Sequence, residues 1–189
     1  TPPVCDTDMI AYWKADGDTV DSAGDHDGTL SGGSYTSGKV DQAFACQSGA
    51  YVRIPSSTAF DFGSTSFSMC AWIKTDQIQQ PAYGTIFART ELGWPAYPPY
   101  FAAYDCHVDG HYFGVMLRDD LNGFGQLDIR GTKDVTDNNW HFVVGTVDRA
   151  KTEVRAYVDG ALDDSGSLAE TGAMPFTADE SVGWTLNPH

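Results

Sequence analysis

Apolar residues along this chain recur at every second position, or in short unbroken runs, over stretches of about four to nine residues separated by turn-forming residues. The pattern predicts strands over 9–13, 42–46, 51–54, 67–74, 85–89, 112–117, 140–148 and 153–158. The dipeptides Asp16-Gly17, Asp27-Gly28, Asp109-Gly110, Asn122-Gly123 and Asp159-Gly160 mark tight turns. The last of them joins 154–158 to Ala161-Leu162 and gives the clearest hairpin. No stretch holds apolar residues at i, i+3, i+4 and i+7 for three turns, so helices are not expected. Many short strands between frequent turns have the spacing of an antiparallel β-sandwich, and no internal repeat or linker divides it.

Composition sharpens this picture. At 189 residues and 41% hydrophobic content the chain suits one domain spanning 1–189. Only Glu91, Glu153, Glu170 and Glu180 among the 26 acidic residues are glutamate. Aspartate favours turns and caps where glutamate favours helix interiors, which agrees with 20 glycines and 9 prolines. The formal net charge of -15 would repel nucleic acid at long range, and no run of apolar residues is long enough to insert in a membrane as a helix.

Trp140-His141-Phe142-Val143-Val144-Gly145-Thr146-Val147-Asp148, a turn, and then Val154-Arg155-Ala156-Tyr157-Val158-Asp159-Gly160 resemble the paired-strand signature of laminin-G-like domains in the concanavalin A-like jelly-roll superfamily. Met9-Ile10-Ala11-Tyr12-Trp13 resembles that family's opening strand, and Asp21-Ser22-Ala23-Gly24 with Asp27-Gly28-Thr29-Leu30 resembles the loop after it. Lys39 to Phe44, Tyr51 to Pro55 and Ser66 to Lys74 are similar to the strands that follow, so the resemblance spans almost the whole chain. It implies an all-β, antiparallel concanavalin A-like jelly roll. The closing strand usual in such domains, of the type Gly-x-Ile-Asp-Glu-Val, has no counterpart after Val182-Gly183-Trp184, so either the closing strand is missing because the chain is cut from a larger polypeptide or the domain completes its sheet differently.

Four constellations could carry chemistry. Asp16, Asp18, Asp21, Asp25 and Asp27 crowd the turns after the first predicted strand. Calcium takes six to eight oxygens from such groups, and related domains hold calcium in such loops, so Asp16, Asp21, Asp25 and Asp27 are the expected ligands; solvated turn-forming aspartates are the alternative. Asp105, His107, Asp109 and His111 are spaced by two and would share one face of a strand, although Asp109-Gly110 is a turn signal inside the set.

The third constellation is an aromatic run, Tyr83, Trp94, Tyr97, Tyr100, Phe101 and Tyr104, interleaved with Pro81, Pro95, Pro98 and Pro99. Proline excludes this stretch from a central strand and stiffens it as a loop. Trp94, Tyr97, Tyr100 and Tyr104 would stack on sugar rings while Arg89 and Asp105 bond hydroxyls; packing beneath the loop is the alternative. Fourth, Cys5, Cys46, Cys70 and Cys106 fit no metal or redox spacing. An even count favours two disulfides and an oxidising compartment, and of three connectivities Cys5 with Cys46 and Cys70 with Cys106 is preferred.

These features suggest a non-catalytic, lectin-like carbohydrate-binding module of a secreted or cell-surface protein, with a glycan as partner. A protein-binding or structural domain of an adhesin or pilus-associated surface protein is the alternative. Catalysis is not expected: the four glutamates are scattered, and no nucleophile elbow, phosphate-binding loop or zinc-binding helix motif occurs.

Overall fold

The strand Glu153–Val158 shows how this chain builds its layers: half-buried and buried residues alternate along its whole length, so Val154, Ala156 and Val158 enter the core while Glu153, Arg155 and Tyr157 face outward. A computed structural model describes residues 8–46, 49–77, 79–90, 102–119, 125–168 and 184–186. The strands are β1 (Thr29–Ser31), β2 (Ser34–Ser37), β3 (Gln42–Ala45), β4 (Tyr51–Ile54), β5 (Phe67–Ile73), β6 (Gln79–Thr90), β7 (Ala102–Gly110), β8 (Tyr112–Asp119), β9 (Gly125–Asp134), β10 (His141–Asp148), β11 (Glu153–Val158), β12 (Ala161–Ser167) and β13 (Trp184–Leu186). A 3-10 turn spans Thr58–Phe60.

The strands form a larger sheet in the order β1-β4-β13-β6-β7-β8-β9, a smaller one in the order β12-β11-β10-β5, and a separate β2-β3 hairpin. The two sheets face each other as an antiparallel concanavalin A-like sandwich. Tyr104, Cys106, Phe113, Val115, Leu117 and Ile129 of the larger sheet meet Met69, Val143, Val147, Val154, Ala156 and Val158 of the smaller. The fit is close at Gly145, where a Cβ would lie 2.8 Å from Val115 and 2.9 Å from the Cys106 sulfur. At the open edge Asp163 accepts from the backbone N–H groups of Thr132 and Lys133, and Asp164 from that of Arg130, tying β12 to β9.

Three features depart from the sequence pattern. Residues 9–13 form no strand: Trp13 makes one isolated bridge with Asp21, and the Asp21 side chain takes up the Tyr12 N–H at 2.8 Å. The carboxylate occupies the donor that a neighbouring strand would have used. A C-terminal strand does return to the sheet, without the expected signature: β13 pairs with both β4 and β6.

The third departure corrects the disulfides, because Cys46, Cys70 and Cys106 all carry free thiols. The pleat decides this for Cys70 and Cys106. Met69 and Ile73 of β5 turn into the core, so Cys70 between them faces outward, whereas Cys106 is 2% exposed on the inner face of the opposite sheet. Cys46 is buried and free, so the preferred pairing with Cys5 is also not formed; Cys5 itself lies outside the described residues. Burial pushes both the Cys46 and the Cys106 thiol above their ordinary pKa. The cysteines therefore lend no support to an oxidising compartment.

Candidate functional site

Trp94, Tyr97 and Tyr100, the expected stacking platform, lie outside the described residues. The feet of their loop are described, and they correct part of the expected ligand set. Tyr104 is 1% exposed, with its ring against Phe62 and Phe67 and its hydroxyl donating to the Phe60 carbonyl at 3.0 Å. Burial raises the pKa of that hydroxyl far above the ordinary tyrosine value. Arg89 donates to the same carbonyl at 2.6 Å and forms an ion pair with Asp61. Both side chains thus point into the interior instead of facing a ligand. The signal was available: Tyr104, Cys106 and Val108 alternate on one face and all enter the core.

The complementary face of β7 carries Asp105, His107 and Asp109, the spaced-by-two set read from the sequence. The hairpin turn falls after Asp109, so these three share the outward face, while His111 lies in the turn and bonds Thr136 Oγ1 at 2.7 Å. On β8 the facing position is Gly114, paired with His107 on one side and Arg130 of β9 on the other. A Cβ there would lie 2.6 Å from His107 Nε2 and 2.9 Å from the Ile129 carbonyl oxygen. The His107 ring fills the space that a side chain would take there, and Arg130 reaches over β8 to form an ion pair with Asp109. Sequence reasoning missed Asp128 and Arg130, because β9 has few apolar positions and does not announce itself as a strand.

On the same face the Asp105 carboxylate accepts from His107 Nδ1 at 2.6 Å, and Asp128 lies 3.6 Å from Nε2. Burial works against a charge on His107, but its hydrogen bond to Asp105 and the charges of Asp105, Asp128 and Asp109 outweigh this and raise its pKa above the ordinary value. Partial burial raises the Asp128 carboxyl above its ordinary range, with Asp105 and Asp109 adding to it against the pull of His107. Arg130 and Asp109 remain accessible above the buried pair, with side chains 51% and 21% exposed. The guanidinium of Arg130 and the carboxylates of Asp109 and Asp128 offer accessible planar donors and acceptors over the buried imidazole, the groups that bond vicinal hydroxyls of a neutral ligand.

The acidic turns after the N-terminal segment have a different use. Asp21 is buried, and its two oxygens accept from the backbone N–H groups of Tyr12, Ala23 and His26 and from the His26 ring at 3.1 Å. The His26 ring stacks near Phe60 and reaches Ser57 Oγ at 3.1 Å. Although burial opposes its charge, these backbone donors hold the Asp21 pKa down to about 2. Asp27 accepts from the Asp21 N–H and Asp16 from the Gln42 N–H, while Asp25 points to solvent with a 99% exposed side chain. The four expected calcium ligands do not converge. Among the described residues no group of three or more His, Cys, Asp or Glu side chains is placed to hold a metal ion.

A family model described as the concanavalin A-like lectin/glucanases superfamily, of laminin G type, matches residues 47–185. No curated protein sequence matches the chain. Among solved structures, the binding domain of Paraclostridial Mosquitocidal Protein 1 is similar at a TM-score of 0.64 and 13% identity, over 93% of this chain and 45% of that one. The binding domain of Botulinum Neurotoxin DC in complex with SialylT is similar at a TM-score of 0.62 and 17% identity, over 95% of this chain and 44% of that one. Domain 4 of AbnA, a GH43 extracellular arabinanase from Geobacillus stearothermophilus in complex with arabinotriose, has a TM-score of 0.54 and 17% identity, over 89% of this chain and 77% of that one. The chain thus spans less than half the length of the toxin domains it resembles. These likenesses establish the fold.

Proposed function

The chain belongs to the concanavalin A-like lectin/glucanase superfamily, and from that membership we propose that it is a non-catalytic carbohydrate-binding module of an extracellular or cell-surface protein. The observation that carries this reading is the set Asp109, Arg130 and Asp128 above the buried Asp105–His107 pair. Its accessible members are charge-paired and held in place, and the buried Asp105–His107 pair fixes the layer below. A rigid set of planar polar groups recognises hydroxyls without the entropic cost of ordering them first. Trp94, Tyr97 and Tyr100, in the segment between β6 and β7, supply the stacking rings in this reading.

That the similar structures include complexes with SialylT and with arabinotriose supports a glycan as the partner class. A further similar structure, at 15% identity, is in complex with rat synaptotagmin II, so a protein partner is the second reading. Calcium has no part in this proposal, since the Asp21 oxygens already serve four donors. Among the described residues no helix is long and apolar enough to cross a membrane.

A glycan array with the purified chain tests the proposal. Binding that Arg130→Ala removes, in a variant that still melts like the wild type, supports it. An array without hits, together with capture of a specific surface protein, would transfer the site to the protein-binding reading.

A further inference from the structure

The outward face of the smaller sheet differs in chemistry from the surface of Asp109, Arg130 and Asp128. We infer that it is a second glycan site, taking a neutral, extended oligosaccharide across β5, β10 and β11; this rests on the carbohydrate-binding reading above. Trp72 and Phe142 are direct cross-strand partners with ring centroids 5.2 Å apart, and Trp72 remains 39% exposed. The phenyl ring braces the indole without covering it. Tyr157 stands two strands away and one pair along the sheet, since Val144 pairs with both Cys70 and Tyr157. By strand spacing and rise the two rings are roughly 12 Å apart, the reach of a short oligosaccharide and more than a single sugar needs.

Two further contacts specify the occupant. The Lys39 ammonium lies 5.0 Å from the centroid of the Trp72 ring. A cation there is held by the negative face of the ring, and the C–H groups of a sugar carry a weaker charge of the same sign, so the same surface suits both. Lys39 is exposed at the end of the β2–β3 hairpin and can yield its place. Next to Tyr157, Arg155 is pinned by Glu153 at 2.6 Å and by the Tyr157 hydroxyl at 3.4 Å, a fixed donor fork at the rim of the ring pair. Charge favours a neutral occupant over a second copy, because two chains of formal net charge -15 repel one another face to face.

Titration calorimetry with cellohexaose, xylohexaose and arabinohexaose as probes tests this. The wild type should bind one of them at two sites, and Trp72→Ala should reduce the count to one or weaken that class of site by about tenfold or more. Trp72→Phe should retain most of the binding, Tyr157→Ala should weaken it, and Lys39→Ala should leave it unchanged or tighten it, since the ammonium no longer competes. Melting curves accompany each variant, and Tyr157→Ala serves should Trp72→Ala fold poorly. Binding that Arg130→Ala abolishes and that neither Trp72→Ala nor Tyr157→Ala alters would overturn the second site while leaving the proposed function standing. No binding of any probe by the wild type would overturn the second site, while the proposed function is decided by the glycan array. A dimer seen by light scattering that Trp72→Ala dissolves would assign the face to a second copy and overturn the glycan reading.

Discussion

His107 Nδ1 lies 2.6 Å from Asp105 Oδ1, two residues away on β7, and both side chains are buried although they sit on the face of the sheet that turns away from the core. A pair so placed adds little to the apolar interior. It fixes the layer on which the accessible row of Arg130, Asp109 and Asp128 rests.

Arg130→Ala should weaken glycan binding by about tenfold or more, the usual result of removing a charged hydrogen-bonding group from a recognition site. Its effect on stability should stay below about 1 kcal/mol, because the Arg130–Asp109 pair is partly exposed. Calorimetry with the best array hit, set beside a melting curve, separates the two effects. Gly114→Ala is the complementary change: the added methyl meets His107 and the Ile129 carbonyl, so it should lower both binding and the melting temperature.

Stability should decline as pH rises through neutrality. The folded-state pKa values of His107 and His141 are both raised; for His141 burial opposes this, but hydrogen bonds to Asp159 and Asp137 outweigh it. A raised folded pKa means that the stabilisation is complete below the unfolded value of 6.5 and is lost as pH rises through the folded value. Melting temperatures measured in steps from mildly acidic to alkaline buffer should fall across that window. In His107→Gln the fall should be shallower, with the His141 contribution remaining; an identical slope would show that His107 does not titrate there.

Asp21 works with the opposite sign. Its folded pKa of about 2 lies below the model-compound value of 3.8, so its contribution is present above 3.8 and lost as pH falls through about 2. Asp21→Ala leaves backbone donors of Tyr12, Ala23 and His26 without their acceptor and should cost roughly 2 to 4 kcal/mol. Millimolar calcium or a chelator should leave the wild-type melting temperature unmoved, since the carboxylates of these turns do not converge. A clear rise with calcium would mean that they rearrange around the ion.

Alkylation without denaturant should label Cys70 first, since it is exposed, while Cys46 and Cys106 react only on unfolding because both are buried with raised pKa. A reducing agent should not change the melting temperature. Intact mass spectrometry reads both results, and a species lighter by two protons that resists alkylation at Cys70 and Cys106 would contradict the free thiols.

Strands whose inner positions are apolar could be read from the chain alone: β4 and β11 fall where the pattern puts them, and β5, β8 and β10 lie within one or two residues. β7 and β9 were hidden for the same reason that makes them interesting. Their outward positions carry charges that a solvent-facing loop would also carry, and β9 buries few apolar side chains. The first predicted strand failed because a side chain, Asp21, supplied the hydrogen-bond acceptor that the pattern assigned to another strand.

The sequence by itself determined the fold class, the all-β layering and the acidic character, because periodicity and composition act locally and need no partner. It also marked Asp105, His107 and Asp109 as residues of one face. Only the tertiary structure decided which face that was, that Gly114 leaves room there for the His107 ring, and that Arg130 comes from a strand further along the chain to join Asp109. Tertiary structure likewise sent Cys70 outward and Cys106 inward, and put Tyr104 in the core where a ligand contact had been expected. The physical reason is that pairing across a sheet and packing between sheets join residues distant in sequence, and the side a residue faces is fixed by register, which no single strand contains.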